Sequence, residues 1–360
     1  MLFYAEAILK KNFICTLQIA AVFIGTVVGA GLASGQEISQ FFTTYGYKSF
    51  IGILICFFIY SAIGSMIIDI SVNFKLSSYN ELINLVSPGY LGKITDILTG
   101  CFLISSAAII LAGSGALIHQ FFGISKWYGI TSMALISLYT LLRDTKGLIE
   151  INSFIVPLLI TVITAVFIMY MIFSKDITMA HLKSIPHSKN IWLLSSIIYG
   201  GFNILCTSGV LVPLSLEIKN KKNLKGGIIL GSAGLTILSA IINLLLLLNI
   251  PYIFKYEIPL LYIADRFGKL IQLFLLCTIW LEMFSTEVSD IYSVGKTLEH
   301  VFNLSYEKAV FFILCAAIPI SQIGFGNLIT LLYPGFGVVG FIFMIQCILF
   351  YISSKKQFYR

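Results

Sequence analysis

The feature that most constrains this chain is the recurrence of long apolar runs without a single charged residue. Residues 51–68 and 226–250 are two examples. Each reaches the roughly 18 to 25 residues that an α-helix needs to cross the hydrocarbon core of a bilayer. A spanning β-barrel would instead alternate apolar and polar residues in segments of about 10. Only 11% of the residues are charged, against roughly 25% in soluble domains, so the sequence predicts an all-α integral membrane protein.

Glycine, proline and lysine residues divide these runs into ten predicted transmembrane spans. The intervening segment 251–268 carries charged residues among aromatics, so we expect an interfacial loop or a short helix there. The whole chain, 1–360, is predicted to form a single transmembrane domain. The spans cover residues 13–45, 49–72, 94–122, 127–142, 148–174, 191–218, 226–250, 269–296, 306–323 and 327–352.

The lysine and arginine residues predict how the spans are oriented. When loops are assigned alternately from a cytoplasmic N-terminus, most of the 23 basic residues fall on the cytoplasmic side. Cytoplasmic loops of membrane proteins are enriched in these residues. We therefore expect a multi-pass protein of the cell (plasma) membrane with both termini in the cytoplasm. The strongest anchor of this orientation is the cluster of Lys219, Lys221, Lys222 and Lys225.

The predicted spans fall into two halves of nearly equal length. Five lie within about residues 11–174 and five within about 191–353. An odd number of spans inverts the second half relative to the first. This is the arrangement of inverted-repeat secondary transporters, whose binding sites lie near the bilayer midplane. We therefore predict a 5+5 inverted repeat.

The first span contains a glycine-rich segment with four glycines in the eleven residues from Gly25 to Gly35. Each interior glycine costs a helix up to about 1 kcal/mol relative to alanine, so the backbone can leave helical geometry cheaply here. Unwound backbone survives in a bilayer where it is buried or lines a wet cavity, and its freed groups can then bind ions or substrate. Close helix packing through Gly25, Gly29 and Gly31 is the alternative.

The sequence GTVVGAGLASGQEISQFF, from Gly25 to Phe42, resembles the YkvI-like family of bacterial membrane proteins. More broadly, the chain resembles the amino acid/polyamine/organocation (APC) transporter superfamily, which has the LeuT-type fold. Span count and repeat layout extend this fold resemblance over nearly the whole chain, whereas only span one matches at the level of a motif. The resemblance implies that helices 1 and 6 are discontinuous, and it does not imply a substrate.

The sixth span offers a second set of glycines, in the run Tyr199–Asn203. Under the resemblance this run is the unwound segment that faces the substrate, opposite the break in span one. A plain kink at Pro213 is the alternative. The hydroxyls of span three are expected to shape the wall of the same pocket. The residues predicted to bind substrate are thus Thr26, Gly29, Ala30, Gly31, Ser105, Ser106, Tyr199, Gly200, Gly201, Phe202 and Asn203.

A sodium site is also implied by the resemblance. Sodium-coupled members hold the ion between backbone carbonyls of the first helix and hydroxyls of the eighth. Aligning the small-residue break places Gly25 and Val28 at the carbonyl positions, and span eight supplies Ser285 and Thr286. Glu282 lies one turn before Thr286 on the same polar face and departs from this pattern. It offers a proton-carrying alternative, so sodium and proton coupling both stay open, with sodium favoured.

The intramembrane carboxylates are candidate functional groups because an ionisable residue in a membrane is expensive unless it faces a cavity or a partner. Glu37 follows the break in span one, and we expect it to gate access, relay protons or cap the second half-helix. For Glu282, the alternative is a glutamate near the interface that pairs with a neighbouring helix. Glu287 and Asp290 lie off the polar face of span eight or nearer its end, and we interpret them as structural.

The remaining residue types exclude several functions. All seven cysteines lie in apolar runs without CxxC spacing, so we interpret them as small buried hydrophobic residues. The four histidines lie at predicted helix ends or in loops, which predicts no transition-metal or haem site. No catalytic motif is present, and the basic residues are dispersed. We therefore expect no enzyme activity, no nucleic-acid partner and no cofactor other than a sodium ion.

Together these patterns predict a secondary active transporter of a small polar, amino-acid-like organic solute, coupled to sodium or protons by alternating access. The alternative is a ligand-sensing receptor subunit of the same fold, similar to germinant receptors, that binds without net transport. The expected partners are the small-molecule substrate and the lipid bilayer. The substrate, the direction of transport and the oligomeric state stay open.

Overall fold

The computed structural model describes residues 2–87, 89–143, 148–173, 191–218, 220–302 and 304–358. Within these ranges the chain is almost entirely helical and contains no β-strand, which confirms the predicted all-α class. Eight of the helices described are long and apolar enough to cross a membrane. The protein is therefore a polytopic α-helical membrane protein.

The helices are numbered α1 to α13 in chain order, and short 3-10 turns lie at Thr43–Tyr45 and Tyr252–Lys255. Their bounds are α1 Leu2–Ser34, α2 Gln36–Phe41, α3 Lys48–Phe74, α4 Tyr79–Val86, α5 Tyr90–Phe122, α6 Lys126–Arg143, α7 Leu148–Phe173, α8 Trp192–Glu217, α9 Lys221–Leu247, α10 Pro259–Asp265, α11 Lys269–Phe302, α12 Tyr306–Ser321 and α13 Phe325–Phe358.

The predicted spans correspond in position to the long helices. Span one matches α1 together with α2, and the others match α3, α5, α6, α7, α8, α9, α11, α12 and α13. Two of these, α6 and the 16-residue α12, are not among the eight helices that are long and apolar enough to cross a membrane. The predicted short helix in segment 251–268 is α10.

Polar side chains fix the starts of two helices. The Asn220 side chain accepts hydrogen bonds from the backbone N–H groups of Lys222 (3.0 Å) and Asn223 (3.4 Å) at the start of α9. The Ser78 hydroxyl accepts from the Glu81 N–H (3.4 Å) at the start of α4. Such caps satisfy backbone donors that a helix start leaves free. The caps therefore stabilise the first turns of α9 and α4.

Helix α1 lies at the centre of the bundle, in contact with α7, α8, α9 and α11. Its side chains Ile19, Phe23 and Leu32 are almost completely buried. Glycines of α9 allow the close approach: a Cβ on Gly227 would lie 2.5 Å from the Ile19 Cβ, and one on Gly231 would lie 3.0 Å from the Phe23 ring. Small residues at helix crossings are the usual means of tight packing in membranes.

The outer surface of the bundle is also apolar. Large side chains on the outer faces of α3, α6, α7, α12 and α13 are more than half exposed, which suits contact with lipid tails as apolar as leucine. Examples are Phe58, Leu135, Ile172, Phe311 and Leu349.

The predicted break in span one is present. Gly29 has φ 43° and ψ −162° in the middle of α1, and Gly35 has φ 84° between α1 and α2. Glycine adopts positive φ without the steric cost that a Cβ brings. The glycine-rich segment of span one therefore interrupts the helix twice.

The predicted break in span six is wrong. Helix α8 runs without interruption through Gly200 and Gly201. A Cβ on Gly201 would lie 2.7 Å from the Phe341 backbone nitrogen of α13, and one on Gly340 would overlap the Gly201 carbonyl. These glycines thus form a packing seam between α8 and α13, and the helical backbone is retained because the close contact depends on it. Pro213 also lies inside the continuous helix.

Candidate functional site

The candidate site lies at the break in α1. Beyond Gly29, the Ser34 hydroxyl donates to the Gly31 carbonyl (2.8 Å) and accepts from the Gln36 N–H (3.2 Å), which closes the turn into α2. A helix interruption removes intrahelical partners from carbonyls on one side and N–H groups on the other. Such freed groups are suited to binding an ion or a polar solute in a membrane protein.

A partly open cavity of about 160 Å³ lies beside this break. Its walls come from α1, α2, α5, α8, α11 and α13, with a contribution from α4. Since one water needs roughly 10 to 15 Å³ of such space, the cavity can hold several waters or a small solute. Mostly apolar walls with a few polar groups are typical of solute sites. Of the predicted site residues, those that line it are Gly25, Thr26, Gly29, Ala30, Glu37, Ser106, Phe202, Asn203 and Thr286.

The other predicted site residues lie outside the cavity wall. In α8, Gly200 packs against Ile59 of α3, and Gly201 packs against the backbone of α13. The Ser105 hydroxyl donates to the Cys101 carbonyl within α5 (2.8 Å). Val28 and Ser285 are buried. Each is adjacent in sequence to a residue that lines the cavity. The residues outside the wall are Val28, Gly31, Ser105, Tyr199, Gly200, Gly201, Glu282 and Ser285.

Glu37 folds back over the break. Its carboxylate lies so close to Gly31 that a Cβ there would overlap it. The Tyr199 hydroxyl donates to Glu37 Oε2 (2.8 Å), and the Tyr333 hydroxyl interacts with the same carboxylate. The Tyr199 ring packs edge-on against Phe42, with centroids 5.0 Å apart. Glu37 therefore ties the α1–α2 junction to α8 and α13.

Aromatic rings form one wall of the cavity. Phe202 stacks on Tyr333 with centroids 4.4 Å apart, and Phe102 meets Phe202 edge-on at 5.2 Å. Phe102 and Tyr333 also line the cavity and were not among the site residues predicted from the sequence. Nothing in the local sequence distinguishes them from the many aromatics that face lipid, because their position depends on how α5 and α13 pack against α8.

The interpretation of Asp290 as a residue off the polar face is wrong. Asp290 lines the cavity, and its carboxylate interacts with the Ser106 hydroxyl of α5. The signal was present in the sequence. Asp290 follows Thr286 by four residues, and residues four apart lie on the same side of a helix. Ser289 also lines the cavity.

Two further carboxylates of α11 are completely buried. Neither oxygen of Glu282 or of Glu287 has a hydrogen-bond partner among the described residues. Asp69 of α3, in contrast, receives Lys225 Nζ at 2.7 Å and the Tyr351 hydroxyl at 3.0 Å. A buried carboxylate without a partner is expensive as an anion. Glu282 and Glu287 therefore differ from Asp69, whose carboxylate is paired.

Of the predicted sodium ligands, Gly25 and Thr286 line the cavity. The Thr286 hydroxyl donates to the Glu282 carbonyl (3.0 Å), which leaves its lone pairs free to accept a cation. A Cβ on Gly29 would lie 4.0 Å from that oxygen, so Thr286 faces the break in α1 directly. Carbonyls at a helix break and nearby hydroxyls are known sodium ligands in transporters. In the part of the chain described, no group of three or more His, Cys, Asp or Glu side chains could hold a metal ion.

The architecture matches that of solved transporters. The structure of MhsT in complex with L-phenylalanine aligns with a TM-score of 0.67 at 14% identity, covering 91% of this chain and 87% of that one. The nucleobase-cation-symport-1 family transporter Mhp1, with bromovinylhydantoin bound, aligns at 0.64 and 13%, covering 88% and 74%. A Na⁺-coupled sialic acid symporter aligns at 0.62 and 14%, covering 93% and 78%. The chain therefore has the LeuT-type fold.

Sequence comparison gives the family. The chain is 34% identical over 328 residues to the uncharacterized membrane protein YkvI of Bacillus subtilis, covering 91% of this chain and 93% of YkvI. It is 28% identical over 338 residues to YyaD of the same organism, covering 93% and 96%. No family model matches the chain. The protein belongs to the YkvI family of membrane proteins, as the glycine-rich motif predicted.

Proposed function

We propose that the protein is a secondary active transporter that carries a small polar organic solute by alternating access, coupled to sodium. The observation that carries this proposal is the cavity beside the Gly29 break, where freed backbone groups, the Thr286 hydroxyl and an aromatic wall meet. The fold shared with a Na⁺-coupled symporter supports it.

The position of the cavity in the bundle supports alternating access. Its lining residues on α1 begin at Val22 and end at the break, and Tyr79 of α4 also contributes. These residues lie toward the end of the bundle that carries the chain termini. Toward the opposite end, Glu37 and Tyr199 join the helices across the break, and Phe41 and Phe42 pack on the Tyr199 ring. A cavity that reaches toward one side only is what one state of such a transporter requires.

The proposed coupling ion is sodium, held by the carbonyls of Gly25 and Val28 and by the hydroxyls of Ser285 and Thr286. The competing mechanism is a proton carried by Glu282. The two differ in which variant removes coupling, because sodium needs several hard oxygen ligands whereas a proton needs one titratable group.

A thermal-stability assay of the purified protein separates these mechanisms without knowledge of the substrate. A ligand at 100 times its Kd stabilises by about 2.7 kcal/mol. We expect sodium, but not choline, to raise the Tm of the wild type. Thr286→Val should abolish that rise, and Glu282→Gln should retain it. Thr278→Val is the matched control, since Thr278 is a buried threonine of the same helix outside the cavity. A wild-type Tm equal in sodium and choline would contradict sodium coupling.

Uptake by proteoliposomes that contain only this protein tests transport itself. A solute that raises the Tm should accumulate in the vesicles when a sodium gradient is imposed, and choline should abolish accumulation. Binding without any uptake would support the receptor-subunit alternative.

We also propose a plasma-membrane location, cytoplasmic termini and inverted repeats at about residues 11–174 and 191–353. Impermeant labelling of single cysteines tests the orientation. A cysteine at Lys222 should be protected in intact cells, and one at Tyr252 should react. Of the lysine cluster used to predict the orientation, Lys219 lies outside the described residues. The reverse labelling pattern would overturn the orientation.

A further inference from the structure

The charges that face the cavity are unbalanced. The carboxylates of Glu37 and Asp290 both line it, and no Lys, Arg or His of the described residues does. The chain pairs a buried carboxylate elsewhere, since Lys225 lies 2.7 Å from Asp69. In the cavity the carboxylates instead interact with hydroxyls, those of Tyr199 and Ser106 among them. An acidic cavity with low-dielectric walls attracts cations and repels anions.

The place where a solute carboxylate would approach the break is already filled. The Glu37 carboxylate occupies the space beside Gly31, at the start of the helical turns that follow the break. The Tyr199 hydroxyl holds it there at 2.8 Å. N–H groups at a helix start favour an anion, and here that position is taken by the Glu37 carboxylate of the protein itself. A solute therefore needs no carboxylate to complete this part of the site.

Asp290, on α11, lines the same cavity as the aromatic wall. It is close enough to Cys206 and Tyr333 to influence both electrostatically. Tyr333 stacks on Phe202, and Phe102 meets Phe202 edge-on. A carboxylate beside aromatic rings stabilises an organic ammonium through a charge-assisted hydrogen bond and through cation–π contact. The apolar walls contributed by side chains such as Ile110 and Val210 suit the rest of such a molecule.

We propose that Asp290 is the counter-ion for the transported solute, and that this solute is a small organic ammonium without a carboxylate. The ammonium group binds between Asp290 and the Tyr333 ring, and the apolar body packs on Phe102 and Phe202. This inference deepens the proposed transport function and rests on it. It differs from the sequence-based expectation of an amino-acid-like solute, because an amino acid also carries a carboxylate.

Two series of compounds test the charge of the solute while its body stays constant. One is n-butylamine, norvaline and pentanoate, and the other is 2-phenylethylamine, phenylalanine and 3-phenylpropionate. Dissociation constants are measured on the purified full chain in saturating sodium, by thermal shift and calorimetry. We expect an amine of at least one series to bind, its amino acid to bind at least about tenfold more weakly, and its carboxylate not to bind. One lost charge-assisted hydrogen bond corresponds to roughly 10- to 100-fold in affinity.

Variants assign the effect to Asp290. Asp290→Asn should weaken amine binding by roughly 10- to 100-fold, and Asp290→Glu, which keeps the charge, should restore part of it. Glu287→Gln is the matched control, because Glu287 is a buried carboxylate of the same helix that does not line the cavity. It should leave amine affinity within about twofold, well below the effect of a lost hydrogen bond. The Tm without ligand shows whether each variant is folded.

The possible outcomes separate this inference from the transport proposal. Amine binding that needs Asp290 but gives no uptake in proteoliposomes supports the cationic site and refutes transport. Tighter binding and uptake of the amino acid or the carboxylate refute the cationic site and leave transport standing. Stabilisation by MnCl₂ that needs Asp290, without any response to the amines, shows an inorganic cation site and overturns the proposal. Failure of both amines to bind overturns it as well.

Discussion

Spans one and six both carry a glycine-rich segment, yet only one of them is broken. In α1 the backbone leaves helical geometry at Gly29 and again at Gly35. In α8 the helix passes through Gly200 and Gly201 without interruption. Glycine reduces the cost of unwinding and also permits close packing, so the residue itself does not choose between the two.

What lies opposite each segment accounts for the difference. Gly201 faces the backbone of α13 at Gly337 and Gly340, so its missing side chain is used for contact between helices. Among the described residues, only the Thr286 side chain lies within 4 Å of where a Cβ on Gly29 would lie. The space at α1 is thus left for a cavity, whereas the space at α8 is filled by a neighbouring helix.

Gly340→Leu should have the largest effect, because its side chain would overlap the Gly201 carbonyl. We expect a loss of about 3 kcal/mol or more, at or beyond the upper end for overpacking, seen as a lower Tm and little folded protein on size-exclusion chromatography. Gly335→Leu on the same helix is the control, since nothing lies within 4 Å of a Cβ there. If both variants are equally stable, α8 and α13 do not meet at this seam.

Gly29→Leu should leave the protein folded but unable to bind. The positive φ strains any residue with a Cβ by about 1 to 3 kcal/mol, yet the atoms nearest to a Cβ there, among the described residues, belong to the Thr286 side chain at 3.9 and 4.0 Å. We expect a smaller Tm loss than for Gly340→Leu, together with loss of the sodium-dependent Tm rise. Gly100→Leu, at a helical glycine with open space around it, should keep that rise. A normal sodium response in Gly29→Leu would mean that the break serves packing alone.

Gly31→Ala should destabilise the protein through Glu37. The new Cβ would overlap the Glu37 carboxylate, and such overpacking costs about 1 to 3 kcal/mol. In a Glu37→Ala background the same change should cost much less, because the overlapping group is gone. A double-mutant cycle of unfolding free energies measures this coupling. Additive effects would show that Glu37 does not occupy the space beside Gly31.

Tyr199→Phe should have the smallest effect. It removes the hydroxyl that donates to Glu37 at 2.8 Å but keeps the ring packed on Phe41 and Phe42. The loss of one hydrogen bond is expected to cost about 1 kcal/mol in unfolding free energy. An equal loss in the Glu37→Ala background would mean that the hydroxyl acts through another partner.

The polar face of α11 shows which residues of the site could be predicted from the sequence. Thr286 was predicted as a sodium ligand because the family resemblance implies hydroxyl ligands in the eighth span, and polar residues repeat at helical spacing around it. Asp290 shares this face and was still assigned a structural role, although the four-residue step from Thr286 pointed to the cavity. Phe102 and Tyr333 carried no comparable signal, since an aromatic residue that lines a cavity looks the same in sequence as one that faces lipid.

Apolar length and punctuation along the sequence specify where the long membrane helices lie, and the glycine-rich motif indicates the family. A bilayer crossing requires about 20 apolar residues in a continuous run. Because neighbouring residues alone meet this requirement, a membrane span can be recognised from the sequence. In contrast, the packing of the helices against one another determines which glycines unwind, which glycines pack and which carboxylate faces the cavity. Each of these outcomes depends on atoms that are distant in sequence, such as those of Gly340 opposite Gly201 and of Thr286 opposite Gly29.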